Sequence, residues 1–306
     1  MDISVVINQV LMLFLPIVLG FFIIKAKIVD SNFNKNISSF LFNITLPCTI
    51  VSAMQFDFDK GMLLKSATIL IISVITVFIS WAFSALVAKL LRMRGDEKGL
   101  TLYSLSFSNY SFMGYPVAQA FMGPTGLFYA TIFSLPYYAL IQSLGIAFVS
   151  GGEGEKGFKL RYIINPPMVA VFIGFILFLT GFRFPTAIDG TINSLGSMTT
   201  PLAMVLVGLS LASHPLKNAF TDFKYYIISV LRLVVLPLAF FYVLQLIGIP
   251  IEICRITAII LMMPVAANVI IVLASMGRDA SCASKAVLLS TLLSIITIPL
   301  MGQIIF

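Results

Sequence analysis

Apolar runs of membrane length alternate with short polar segments along the whole chain. Counted as stretches poor in charge and near the ~20 residues needed to cross a bilayer, they fall at 4–24, 36–55, 64–88, 99–121, 125–149, 162–182, 188–212, 223–248, 254–276 and 281–304. No heptad seam, strand-like alternation or low-complexity tract competes with this pattern. It predicts an all-α membrane protein of ten transmembrane helices. The first run follows Met1-Asp2 without a basic start or a small-residue cleavage site, so it reads as the first span and not as a cleaved leader.

Two runs carry a proline at their middle within the same words, Pro116-Val117-Ala118-Gln119-Ala120 and Pro264-Val265-Ala266-Ala267-Asn268. A proline inside a helix removes a donor and clashes with the preceding turn, so carbonyls before it lose partners. Lipid cannot replace them. A break at membrane depth therefore survives only against protein or a watered cavity, and matching breaks in the halves of a repeat mark a carrier's binding site. New half-helices are expected to begin after Pro116 and after Pro264. A mere kink is the plainer role of either proline, and the duplication favours the functional crossover.

The Gly-rich charged linker Ser150-Gly151-Gly152-Glu153-Gly154-Glu155-Lys156-Gly157 divides the chain into 1–150 and 151–306, with five runs in each part. Five is odd, so similarity between the parts makes an inverted repeat. Pro16 and Gly20 of the first span answer to Pro166, Pro167 and Gly174 of the sixth. Leu46-Pro47 of the second answers to Thr200-Pro201 of the seventh, and Pro136 of the fifth to Pro299 of the tenth.

Composition sharpens this picture. The chain has 306 residues, 59% hydrophobic and 10% charged, with a mean hydropathy of +1.06; soluble domains carry about 25% charged residues. The net charge of +7 is a matter of loops. With alternating spans, one side holds Lys25, Lys27, Lys35, Lys89, Arg92, Arg94, Lys98, Lys156, Lys159, Arg161, Lys217, Lys224, Arg278 and Lys285. The other holds Lys60, Lys65, Arg183 and Arg255. The richer side is cytoplasmic by the positive-inside rule, which puts both termini outside the plasma (inner) membrane. The segment 89–98 is a charged hairpin that fixes orientation, and no nucleic-acid partner is implied.

Enzyme chemistry has little to work with. His214 is the sole histidine and stands before Pro215, where a helix-end contact is its expected role. The cysteines Cys48, Cys254 and Cys282 have no metal-ligand spacing and read as core residues. All twelve carboxylates fall in loops or at span ends, so neither a metal centre nor a cofactor is called for. The same absence weakens proton or sodium exchange, which usually seats its cation on a mid-membrane carboxylate. Neutral oxygens leave sodium coupling open.

What the centre offers suits an anion. The half-helices would present free N–H groups and the positive ends of their dipoles. Asn109 stands about two helical turns before Pro116, and Asn268 about one turn after Pro264. Each carries donors for a carboxylate, with interhelical hydrogen bonding as the alternative. Arg232 is the one charge well inside a span. It is either the anion's countercharge, or a side chain that snorkels or bonds the exposed carbonyls of a broken helix. Gln142 and the run Ser290-Thr291 with Ser294 are pocket liners or core hydrogen-bonders. Tyr103, Tyr110 and Tyr115 offer an amphipathic wall, packing being the default. Gly114 would admit close backbone approach at the break.

Asn109-Tyr110-Ser111-Phe112-Met113-Gly114-Tyr115-Pro116 resembles the Asn-x-x-x-Met-Gly-x-Pro word of the auxin efflux carrier family. The stretches 263–268, 273–277 and 288–294 are similar to that family's ninth and tenth helices. The resemblance covers essentially the whole chain. It implies two inverted five-helix repeats, a scaffold of spans one, two, six and seven, and a mobile transport part of three to five and eight to ten. Crossed broken helices four and nine around an anionic substrate, elevator-like alternating access and, in many members, a homodimer are also implied. Asn109, Pro116 and Pro264 carry over by motif; Gln142 and Asn268 carry over by approximate position. Bacterial relatives are linked with malonate, malate and similar acids as well as auxin-like compounds. The short midpoint linker departs from plant plasma-membrane members, which have a long cytoplasmic loop there.

The expected function is a secondary carrier or uniporter of small organic carboxylates in the lipid bilayer. A sodium-coupled symporter of the bile-acid type, or a membrane sensor that keeps the carrier fold, are the alternatives.

Overall fold

A computed structural model describes residues 3–30, 33–150, 165–213 and 222–306. The glycine-rich linker, apart from Ser150, and His214 lie outside these residues. The described residues form helices in the order α1 (Ile3–Lys25), α2 (Phe33–Ala53), α3 (Lys60–Leu90), α4 (Gly95–Ser106), α5 (Tyr110–Leu140), α6 (Ser143–Val149), α7 (Pro166–Thr180), α8 (Thr186–Ala212), α9 (Phe223–Leu246), α10 (Ile251–Leu261), α11 (Asn268–Ser275) and α12 (Ser281–Ile305). The apolar runs of the sequence fall on these helices. By length and composition five can each cross a membrane: α2, α3, α8, α9 and α12, of 21 to 31 residues. The half-length α4 and α10, of 12 and 11 residues, fall short because each ends at a break.

Burial is arranged for an apolar solvent. Along α3, Ser66, Ser73, Thr76, Ser80 and Ser84 are buried, while Ile71, Ile75, Phe78, Ile79 and Leu86 are exposed. Small hydroxylated residues let helices approach and bond across, and large apolar ones face outward, as helix packing in lipid requires. Ser73 Oγ donates to the Phe133 carbonyl at 2.5 Å, holding α3 on α5. Exposed apolar faces recur on α1 (Leu11, Leu15, Leu19, Phe22) and α7 (Phe172, Ile173, Ile176).

α1 and α8 pack with their backbones in close approach. A Cβ on Gly20 would stand 2.2 Å from the Val205 carbonyl oxygen, and one on Gly208 would stand 2.0 Å from that of Ile17. The contact is reciprocal: each helix offers a glycine to a backbone carbonyl of the other.

Among the described residues there are four π-helical turns, and three of them share a cause. Leu41–Thr45, Tyr110–Gly114 and Leu231–Val235 each end two residues before a proline, Pro47, Pro116 and Pro237. The pyrrolidine ring cannot donate to, and clashes with, the carbonyl four residues earlier. One extra residue in the preceding turn moves that carbonyl away. The helix through Pro116 is thus widened and not interrupted, and the true break comes earlier.

A second corner sits at Gly123, inside α5. Its φ of 65° and ψ of −158° turn the chain sharply before Pro124, so α5 is two helical stretches that meet at an angle. Only glycine adopts that conformation without strain.

Candidate functional site

The two proline-bearing segments cross, and they do so through their backbones. α4 stops at Ser106 and the chain runs extended through Phe107 and Ser108; α10 stops at Leu261 and α11 begins at Asn268. Ser108 and Val265 form an antiparallel bridge between these gaps. Asn109 N donates to the Pro264 carbonyl at 2.8 Å, and Ala266 N donates to the Phe107 carbonyl at 3.4 Å. The orphaned backbone groups of one break are thereby satisfied by the other, which is how irregular backbone is tolerated away from water. Ser290 of α12 supplies a further acceptor, its Oγ taking the Val265 N–H at 3.1 Å.

The structure moves the first break from where the proline suggested. The half-helix begins at Tyr110, six residues before Pro116, and Asn109 sits in the break itself and not about two turns up a helix. Its φ of −77° and ψ of 59° are those of an inverse γ-turn. Its carbonyl accepts from Met113 N at 3.2 Å and Gly114 N at 3.1 Å, the second closing the π turn. In the second half Pro264 lies in the gap and Asn268 is the first residue of α11.

A cavity of about 20 Å³ lies at the crossing, lined by Ser108, Asn109, Tyr110, Ala266, Ala267 and Asn268 together with Phe42 of α2 and Ile141. Asn109 is 7% exposed and makes no side-chain cap on its half-helix, while Asn268 is exposed. The starts of both inward half-helices, and both asparagines, therefore border one space. Tyr110 also borders it, its ring edge-on to Tyr137 and Tyr138 at 5.5 and 5.2 Å. Tyr115 bonds Tyr138, with the hydroxyls 3.2 Å apart. Gly114 packs chiefly against side chains: a Cβ there would stand 3.1 Å from Ile260 Cδ1 and 3.5 Å from Met263 Cγ, with the Asn109 carbonyl oxygen at 3.7 Å. Gln142 belongs to the π-helical turn Ile141–Gly145, and its side chain lies outside the described part.

Arg232 is fully buried and lines neither this cavity nor the larger one. Its Nη1 donates to the Leu105 carbonyl at 2.7 Å and its Nε to the Met263 carbonyl at 3.3 Å. It therefore ties the last turn of α4 to the stretch that follows α10. Ser290, Thr291 and Ser294 all make core hydrogen bonds along α12.

The larger cavity was not legible in the sequence. About 610 Å³ in volume, it opens between the end of α2 (Thr49, Ser52) with Gln55 just beyond it, α8 (Asn193, Ser197, Thr200) and the Gly123 corner of α5 (Gln119, Pro124, Leu127). Its polar lining carries no charge. The signal, in retrospect, is a set of amides and hydroxyls in spans otherwise apolar, but only packing brings α2 and α8 together. Thr49 Oγ1 lies 2.8 Å from the Gly196 carbonyl and 2.7 Å from Thr199 Oγ1, Gln55 Nε2 donates to Asp189 at 2.8 Å, and Ser52 bonds Asn193.

Among the described residues, two groups of bonds tie distant elements together. Those just named, with Arg183 to Asp57 at 2.8 Å, join α2 and its following loop to α8 and its preceding loop. Others join α3–α6 to α9–α12: Lys65 with Glu252, Lys224 with Glu97 at 2.9 Å, Arg278 with Asp96 at 3.1 Å, and Arg232 with Leu105. Among the described residues no cluster of His, Cys, Asp and Glu is arranged to hold a metal.

The family model described as "Membrane transport protein" matches residues 5–302 of the chain. An uncharacterized transporter of Methanothermobacter thermautotrophicus is 28% identical over 307 residues, covering 97% of this chain and 98% of that one. Another from Methanocaldococcus jannaschii is 26% identical over 305 residues, with the same coverage. A protein of Rhizobium meliloti named as a putative malonate transporter is 26% identical over 247 residues, covering 77% of this chain and 76% of that one. Helices of membrane length, exposed apolar faces and a match from end to end agree: the chain is a multi-pass integral membrane protein and belongs to the membrane transport protein family, that of the auxin efflux carriers.

Proposed function

We propose that the protein is a secondary carrier of small organic carboxylates such as malonate, malate or auxin-like acids, and that it holds the anion at the crossing of the two broken helices. The antiparallel bridge between Ser108 and Val265 carries this reading. Crossing there turns the N-terminal ends at Tyr110 and Asn268 toward one cavity, where each end contributes about half a positive charge. Asn109 and Asn268 supply amide donors to the carboxylate, and Tyr110 an aromatic wall. Gly114, Pro116 and Pro264 shape the crossing, Gln142 stands in the turn beside Ile141, and Arg232 acts on the site through the segments that it ties together. The name of the Rhizobium relative favours a dicarboxylate of malonate's kind.

In this reading the chain crosses the plasma (inner) membrane ten times, as inverted repeats 1–150 and 151–306, with both termini outside. Spans one, two, six and seven form the scaffold; three to five and eight to ten move. The reciprocal Gly20 and Gly208 contacts, the α2–α8 bonds and the bonds between α3–α6 and α9–α12 support two bodies of this composition. The 20 Å³ space holds about one water, so the anion enters only once the moving part has shifted along the scaffold. The 610 Å³ cleft, within the ~300–1,000 Å³ usual for small-molecule sites, is the route by which it arrives or leaves. A pair of such chains forms the working homodimer.

The test is uptake of labelled malonate and malate by purified protein in proteoliposomes. Saturable uptake by wild type, lost in Asn109→Ala, supports the reading. Uptake of neither acid by wild type, or equal uptake by both proteins, removes it.

A further inference from the structure

We propose that the Arg232 guanidinium is a built-in cation. It fills the seat between the two inward-pointing carbonyl ends that would otherwise need a dissolved cation, and leaves the anion as the one charge that the site exchanges with solution. The inference rests on the carrier reading above and gives it a coupling rule.

α4 and α10 both end at the crossing, and each carbonyl end carries about half a negative charge. Together they amount to about one elementary charge at a depth where water cannot screen it. In broken-helix carriers, carbonyls of this kind and half-helix C-terminal ends coordinate the coupling ion. Here Leu105, in the last turn of α4, and Met263, two residues past the end of α10, both accept from the same guanidinium through their carbonyls. The group is fully buried, keeps its proton and is tethered to α9. Its bonds go to carbonyls and not to a carboxylate, and Nη2 is buried with no partner. An arginine so placed is costly unless something local offsets its charge, and the two helix ends do so. The π turn before Pro237 contains Arg232 and sets its direction. With the carbonyl ends neutralised, the positive ends at Tyr110 and Asn268 remain for the carboxylate.

The experiment uses the full chain as wild type, Arg232→Gln and Arg232→Lys, with malonate as the flux probe and unfolding midpoints in detergent as a second readout. Wild-type uptake should be the same in sodium, potassium and choline chloride. Arg232→Gln should lose uptake by about tenfold or more in choline, while Arg232→Lys, which keeps a tethered cation, retains most of it. The midpoint of Arg232→Gln should lie below that of wild type and rise with low-millimolar guanidinium or sodium but not with choline, a response absent from wild type. Wild-type uptake that collapses without sodium overturns the proposal, as does an Arg232→Gln midpoint that no small cation raises. The midpoint readout needs no substrate, so a wild type that carries no malonate counts against the carrier reading and leaves the cation seat to be decided by stability.

Discussion

The backbone N–H of Asn109 donates to the carbonyl of Pro264 at 2.8 Å, so main chain of one half of the chain helps to close the break of the other. The carboxamide of Asn109 is spared for the cavity it borders. Asn109→Ala is expected to abolish most carboxylate uptake while changing unfolding free energy by only about 0.5 kcal/mol. Proteoliposome flux and chemical unfolding of the same preparation check the two halves of that statement.

Between α1 and α8 there is no room for a side chain. Gly208→Ala would put a Cβ 2.0 Å from the Ile17 carbonyl oxygen, and Gly20→Ala one 2.2 Å from that of Val205. Either substitution should cost about 1–3 kcal/mol, as overpacking does, read as a lowered midpoint. Gly190→Ala, on α8 with open space around it, should leave the midpoint unchanged.

Thr49 ties α2 to α8 from a buried position, 9% exposed. Thr49→Val keeps the shape but leaves the Gly196 carbonyl and the Thr199 hydroxyl short of a partner. A loss of about 1–3 kcal/mol follows from that unmet polar surface. Flux measured at a temperature where both proteins are folded should fall far less than in Asn109→Ala.

Pro237 holds open the π turn that contains Arg232. Pro237→Ala allows the turn to close to ordinary α-helix, which rotates Arg232 by about 100° relative to the residues that follow. Helix content by circular dichroism should stay the same while uptake falls. Preserved uptake would show that the register of α9 is unimportant to transport.

The 610 Å³ cleft offers a test of the route. Gln119→Trp places a large ring at its wall, and uptake should drop severalfold. Binding of malonate to detergent-solubilised protein, reachable from the other face, should change little.

Much was legible in the order of residues. Helical class, the apolar runs and the pairing of the two proline words follow from composition and spacing, because a chain that meets lipid must satisfy its backbone within its own helices. Spacing from the two prolines singles out Asn109 and Asn268, and in the structure both border one small cavity with Tyr110. The first break lies earlier than its proline. Pro116 marks a widened turn, and the gap at Phe107 and Ser108 carries no proline to announce it, since its missing partners come from Pro264 and Ala266 some 157 residues on.

The choice among roles for Arg232 needed three dimensions. Sequence left it as a countercharge, a snorkelling chain or a carbonyl cap. The answer depended on where α4 and α10 end in space, which no residue near 232 encodes. The cleft between α2 and α8 is of the same kind: Ser52 and Asn193 are ordinary polar residues until packing makes them neighbours. Sequence determined what each segment must do with its own backbone and apolar surface, because those demands are local. Tertiary structure decided which orphaned groups meet, because a break in one helix is satisfied by another helix far along the chain.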